Sequence, residues 1–316
     1  MPKTELDYME NYSSDALAQA AYVTNGDYST DKIPTMTSNT APSGVASASS
    51  FNAGNDAWEA MRDLNVDPDD TWQSNTGQNF PHWLKYQFTS GKIIRRYTIT
   101  SRNYSGARAC PEDWTLQGSN NDSDWTTLDT QTGQSFTQAE KKTYSFSNLT
   151  AYVYYKLNIT AGEDSTTVHI GEFELIEITL QCGSESTIKT QGSYALKGIA
   201  TTDAINDTLT RTVSPTINLS GISRIKFGIR ASRTGSNIKI GFHDSGGTTT
   251  EVTPNIASAN TFQTVTLNMS AVSNANKDVI NSIIITILNA DAANTFYIDN
   301  MYAETISGAV FFGCNF

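Results

Sequence analysis

Trp83-Leu84-Lys85-Tyr86-Gln87-Phe88 sets a large apolar side chain at every second residue, with Lys85 and Gln87 between them. An extended strand puts Leu84, Tyr86 and Phe88 on one face and the polar pair on the other; a helix would scatter them round its circumference. The same period recurs outward along the chain. Ile93, Arg95, Tyr97 and Ile99 form the next stripe, followed by Trp114 with Leu116, and later by Val153, Tyr155, Leu157 and Ile159. Polar turns such as Gln117-Gly118-Ser119-Asn120-Asn121-Asp122 separate them. Short strands at regular spacing, with no helical period between them, favour an antiparallel sandwich or jelly roll.

A second run of stripes follows beyond residue 179: Ile225/Phe227/Ile229, Ile238/Ile240/Phe242, Val265/Leu267/Met269, Ile283/Ile285/Ile287 and Phe296/Ile298. Residues 1–36 read as a leader with one helical patch, residues 14–21, capped by Ser13 or Ser14. The sequence thus predicts an all-β chain of two β-sandwich domains, 37–178 and 179–304, behind a short, partly helical leader. Residues 305–316 are an apolar tail, ending Phe311-Phe312-Gly313-Cys314-Asn315-Phe316.

The 316 residues carry 21 Lys and Arg against 32 Asp and Glu, a net charge of −11, with no basic run. Phosphate-backbone binding needs clustered cations, so nucleic acid is not an expected partner. No stretch approaches the roughly 18 apolar residues of a membrane span, so no membrane insertion is expected. The polar start, Met1 to Asp7, lacks the apolar core of a signal peptide. Cys110, Cys182 and Cys314 make neither a disulfide framework nor a zinc pattern. A low-charge, Thr/Asn-rich surface without an export signal fits a protein made in a cytoplasm and carried outside on a particle.

Several motifs occur in order: Ala57-Trp58-Glu59-Ala60-Met61, Thr71-Trp72, Trp83 to Phe88, Trp114-Thr115-Leu116-Gln117-Gly118-Ser119-Asn120, Trp125-Thr126-Thr127-Leu128 and Gly171-Glu172-Phe173-Glu174-Leu175. This run of about 140 residues resembles the discoidin, or coagulation-factor type C, domains and the related galactose-binding-like carbohydrate modules. The resemblance implies a jelly roll whose loops at one end bind a glycan, lipid head group or protein, and a buried structural calcium. Where that family usually reads Ala-Phe-Asp-Gly, this chain has Ala60-Met61-Arg62-Asp63 and then an acidic insertion. Residues 179–304 look like another jelly-roll carbohydrate-binding type of the sort found on phage virion proteins, through residues 192–198 and Phe296-Tyr297-Ile298-Asp299-Asn300. The leader resembles the segment that precedes such modules, which implies that it packs on the C-terminal domain with the discoidin-like domain inserted.

Asp63, Asn65, Asp67 and Asp69 place oxygen-bearing side chains two residues apart, as a hard cation requires. Pro68 and the absence of a twelfth-position glutamate exclude an EF-hand. In the discoidin setting Thr71 and Glu172 complete a Ca2+ shell; the alternative is a solvated acidic loop. Asp299 closes an Ile-Asp-Asn strand end of the kind that holds a structural calcium in jelly-roll modules, and is a second candidate ligand, with Glu185 or another residue near the start of that domain as its mate. Glycan recognition needs an aromatic platform for the apolar face of a sugar and planar groups for its hydroxyls. His82, Arg102, Asn103, Tyr104, Arg108 and Asp164 are the loop residues that supply them; as single residues they also read as ordinary loop side chains. Trp72 and Trp83 are assigned to the core.

His243-Asp244-Ser245-Gly246-Gly247 looks like a serine-protease motif, but adjacent side chains diverge and cannot form a triad, so it reads as a polar turn. His82, His169 and His243 have no metal-ligand spacing. The expectation is a non-enzymatic adhesion protein of a phage-like virion, in many copies or as a homo-oligomer, whose partners are cell-surface or extracellular glycans and other virion proteins. The rival is a structural head-decoration or tail protein whose sandwiches make subunit contacts only.

Overall fold

The computed structural model describes residues 3–7, 9–63, 70–106 and 109–305. They form two compact units. One takes the described residues of Met1–Asp27 and Thr179–Phe316, the other Tyr28–Ile178. Both are built from antiparallel sheets. No helix among the described residues is long and apolar enough to cross a membrane.

In the Tyr28–Ile178 unit a five-stranded sheet runs in the order Val45–Ala48, His82–Lys92, Tyr152–Gly162, Pro111–Ser119, Thr126–Gln131. A four-stranded sheet runs Lys141–Ser145, Ile94–Thr100, Glu172–Ile178, Tyr28–Asp31, and Trp72–Gln73 pairs with His169–Ile170. The stripes read from sequence meet in one core: Leu84, Tyr86, Phe88, Trp114, Leu116, Tyr155, Leu157 and Ile159 are buried, with Trp72 among them. Trp83 instead lies half-buried on the opposite face from Leu84, as its place in the alternation requires. Trp114 Nε1 donates to the Tyr97 hydroxyl (2.9 Å), which donates to Asp129 Oδ2 (2.8 Å), while Tyr144 stacks on Tyr97 with ring centroids 5.0 Å apart.

One stripe differs from its sequence reading. Ile94, Tyr97 and Ile99 are buried, and Ile93 and Arg95 are not. The cause is a slip in pairing: Ile176 faces Arg96 but Glu177 faces Ile94, so Arg95 is an extra residue and the alternation shifts by one. Residues 28–36, read from sequence as leader, lie in this unit. Asp31 pairs with Ile176 and Tyr28 with Ile178, a link across about 150 residues of chain that no local pattern announces.

In the other unit one sheet runs Leu180–Glu185, Ala195–Ala200, Asn294–Glu304, Arg224–Ala231, Gln263–Asn268, with Lys3–Asp7 also pairing with Asn294–Glu304. The facing sheet runs Thr249–Val252, Ile238–Asp244, Ile280–Ile287, Thr208–Ile217, Tyr22–Thr24. The first 27 residues therefore give each sheet a strand. Between those strands the helix Asp15–Ala21 starts at Ser14, whose Oγ accepts from Leu17 N (3.3 Å), and buries Ala18. The buried Asp7 carboxylate ties this segment down: it accepts from the Tyr12 hydroxyl and from the Tyr22 hydroxyl (2.5 Å) and pairs with Arg211 at 3.1 Å. Asp244 closes a polar turn, its carboxylate accepting from Gly246 N and Val279 N, each at 2.8 Å. Cys110 and Cys182 are buried free thiols; Cys314 and the tail from 306 lie outside the described residues.

Candidate functional site

Antiparallel pairing gathers five strand ends at one rim of the Tyr28–Ile178 sandwich. His82 opens a strand opposite Ile159, Pro111 opens one opposite Gly162, and Thr100 closes one opposite Glu172. Residues 101–106, 109–110 and 163–168 lie beside these ends, stitched together by His169 N to Ala109 O (2.8 Å) and Glu163 N to Cys110 O (2.9 Å). Gly162 permits this closeness, since a Cβ there would lie 2.9 Å from Cys110 O.

Tyr104 projects from the first segment, 44% exposed. The Arg102 guanidinium lies over its ring, 4.7 Å from the centroid. Gly106 folds back against the same ring; a Cβ at Gly106 would come within 2.6 Å of Tyr104 Cε1. An exposed ring steadied from two sides loses little freedom when a ligand stacks on it. Arg102 Nη1 also faces His169 Nδ1 at 3.4 Å, and that nitrogen faces Thr71 Oγ1 at 3.5 Å. Burial, then the Arg102 charge, push the His169 pKa down to about 3. The ring is thus neutral, and because an arginine only donates, Nδ1 is its acceptor and the proton sits on Nε2.

Of the residues singled out in the sequence, Arg102, Asn103, Tyr104 and Asp164 lie on this rim. Asn103 Oδ1 accepts from Gln138 Nε2 (2.7 Å), and Asp164 accepts from Thr166 N (2.8 Å), which holds its pKa below the usual carboxylate value. Arg108 lies outside the described residues. His82 is only 1% exposed, with Phe80 against it at a centroid separation of 4.7 Å, so it supports the rim from beneath and offers a ligand nothing. His169 was missed. Its only sequence signal was proximity to Gly171-Glu172, since its partners, Arg102 and Thr71, lie 67 and 98 residues away.

The expected calcium ligands are placed as follows. Asp63 takes a left-handed backbone (φ 54°), its N–H donates to Glu172 Oε1 (3.1 Å) and its carboxylate accepts from Thr35. Thr71 and Glu172 are buried; Asn65 and Asp67 lie outside the described residues. Asp299 is in the other unit, where one carboxylate oxygen accepts from Thr190 N, Thr190 Oγ1 and Gln191 N and the other from Asn300 N. Among the described residues no three His, Cys, Asp or Glu side chains converge on a metal position.

Asp63 also lines a groove of about 670 Å3 with Asp31, Lys141 and Glu174. Burial, with the Glu174 and Asp63 charges adding to it, raises the Asp31 pKa to about 8, against the opposing N–H groups of Leu175 and Ile33. A raised carboxyl favours the fold while protonated: the stability is fully present below pH 3.8 and is lost as pH rises through about 8. Glu59, raised to about 7, acts lower, so the interval from pH 7 to 9 reports Asp31. The melting temperature of this unit is expected to fall across that interval. Asp31→Asn, which keeps the Oδ1 acceptor, should flatten the fall. An equal fall in the variant would remove Asp31 as its source.

No curated protein matches the chain. Among solved structures, a variant of chitosan-binding module 1 from a chitosanase/glucanase of Paenibacillus sp. IK-5 is 24% identical, covering 44% of this chain and 98% of its own, with a TM-score of 0.37. The family 32 carbohydrate-binding module of C. perfringens NanJ, in complex with galactose, is 20% identical over 42% of this chain and 93% of its own, with a TM-score of 0.37. The serum F-lectin of Morone saxatilis is 13% identical over 85% and 99%, with a TM-score of 0.38. Residues 60–156, which include the Arg102–Tyr104 platform, match the F5/8 type C family model described as a NedA-like, galactose-binding domain.

Proposed function

We propose that the Tyr28–Ile178 unit binds a surface glycan at this rim without cleaving it. The observation that carries the reading is the exposed Tyr104 ring, backed by Arg102 where the loops converge. The ring takes the C–H face of a pyranose, and Arg102, Asn103 and Asp164 hydrogen-bond its hydroxyls. The match of residues 60–156 to a galactose-binding family model supports the ligand class. A single shallow site binds weakly, and copies arrayed on a phage-like particle supply the avidity. The full chain is expected to label galactose-bearing spots on a glycan array and to leave those glycans intact by mass spectrometry. Signal that is unchanged in the Arg102→Ala, Tyr104→Ala chain moves the site elsewhere. A dark array together with self-assembly favours the structural virion role.

Rim binding is also expected to hold constant within about twofold from pH 5 to 8, since His169 at about 3 does not titrate there and Asp164 stays ionised. Titration calorimetry across that range is the check. A loss centred near pH 6.5 would mean His169 is solvated and does not sit behind Arg102.

A further inference from the structure

The sheet that carries Arg224–Ala231 in the first unit has a hollow on its outer face. Along this strand Lys226 and Arg230 point outward; Gly228 shares their face and fills nothing. The neighbouring strand bulges here, with Lys226 opposite Tyr302 but Gly228 opposite Asp299. Asn300, inside the bulge, is held at φ 52°. The four hydrogen bonds accepted by the Asp299 carboxylate, from Thr190, Gln191 and Asn300, stabilise that strained turn.

The missing side chain and the bulge together open about 240 Å3 walled by Phe262 and rimmed by Tyr302, Thr264 and Asn300. That is below the ~300–1,000 Å3 of pockets enclosing drug-sized ligands, and suits a single ring. Thr190 and Gln263, also at the rim, spend their side chains internally, on Asp299 and on Asn255 and Ala257. The Asn300 amide and the Tyr302 and Thr264 hydroxyls make no hydrogen bond among the described residues. Lys3 Nζ lies over the Tyr302 ring, 4.1 Å from its centroid, so Phe262 is the aromatic wall and Tyr302 contributes its hydroxyl. An aromatic wall beside three polar groups is what a pyranose needs: apolar contact for its C–H face, partners for its hydroxyls. No charged side chain lines the hollow. Across Asn300 lies a second hollow lined by Glu5, Glu10 and Asp299. The cations on the same outer face are engaged, Lys226 with Glu304 (3.0 Å), Arg230 Nε with Asn260 O (2.8 Å) and Lys3 with the Tyr302 ring. The surroundings therefore favour an uncharged sugar over a carboxylated or sulfated one.

We infer that the hollow over Gly228 is a second saccharide subsite, independent of the rim, that takes one neutral pyranose ring. The test uses the full chain with Arg102→Ala and Tyr104→Ala, so that rim binding is removed, on an array of neutral, sialylated and uronic-acid glycans. This chain is expected to keep a subset of neutral spots. Phe262→Ala should weaken those at least tenfold with little change in melting temperature. Gly228→Leu should do the same by filling the hollow; a Cβ at Gly228 meets nothing nearer than 3.4 Å, so the backbone accepts a side chain. Gly228→Ala serves as the folding control. No neutral signal from the rim-disabled chain, signal indifferent to Phe262→Ala, or preference for anionic glycans would overturn the inference.

Discussion

Tyr104→Ala, in an otherwise intact chain, is expected to weaken binding of the best rim glycan about 30-fold while leaving the fold unchanged. Exposed aromatic and arginine anchors at the centre of a site cost about 2 kcal/mol or more when truncated, and about 1.4 kcal/mol is a factor of ten. Among the described residues the ring makes no hydrogen bond and is steadied by the Arg102 guanidinium and Gly106, so little stability goes with it. Tyr104→Phe should retain most of the affinity if the ring face, and not the hydroxyl, does the binding. Calorimetry with the strongest array ligand reads the difference. Wild-type affinity in Tyr104→Ala, with an unchanged melting curve, would sink the platform.

Trp114→Ala is expected to cost the Tyr28–Ile178 unit about 3–5 kcal/mol, the range for deleting a buried aromatic, out of a typical total of about 5–15. Three losses coincide. Trp114 is 1% exposed, its Nε1 bonds the Tyr97 hydroxyl, and its ring packs edge-on against Tyr144 at 5.3 Å. All five tryptophans, residues 58, 72, 83, 114 and 125, belong to this unit. Denaturant unfolding followed by the four that remain therefore reports its transition separately. A loss under about 1 kcal/mol would mean that the Tyr97–Trp114 pair packs no tighter than a surface contact.

The sandwiches were legible because burial on one face of a strand writes a period of two into the chain, as in Ile225/Phe227/Ile229 and Leu84/Tyr86/Phe88. Reading failed where geometry departs from that period. The extra residue at Arg95 moved the buried position to Ile94, and the Tyr28–Asp31 strand pairs with residues nearly 150 positions away. At the rim, polar and aromatic loop residues pointed to Arg102, Asn103, Tyr104 and Asp164. Sequence type alone could not tell that His82 is enclosed, nor that His169 stands behind Arg102. Both facts depend on which segments cross at the strand ends.

The chain leaves the first unit at Asp27 and re-enters it at Thr179, whose N–H and hydroxyl both donate to Asp27 O, each at 2.9 Å. Those two residues form a closed clasp, and everything from 28 to 178 hangs between its jaws. Domain insertions are tolerated where entry and exit lie side by side. If the proposed rim binding holds, exchanging residues 28–178 at this junction would replace recognition specificity wholesale by recombination while the Asp27–Thr179 clasp stays with the host.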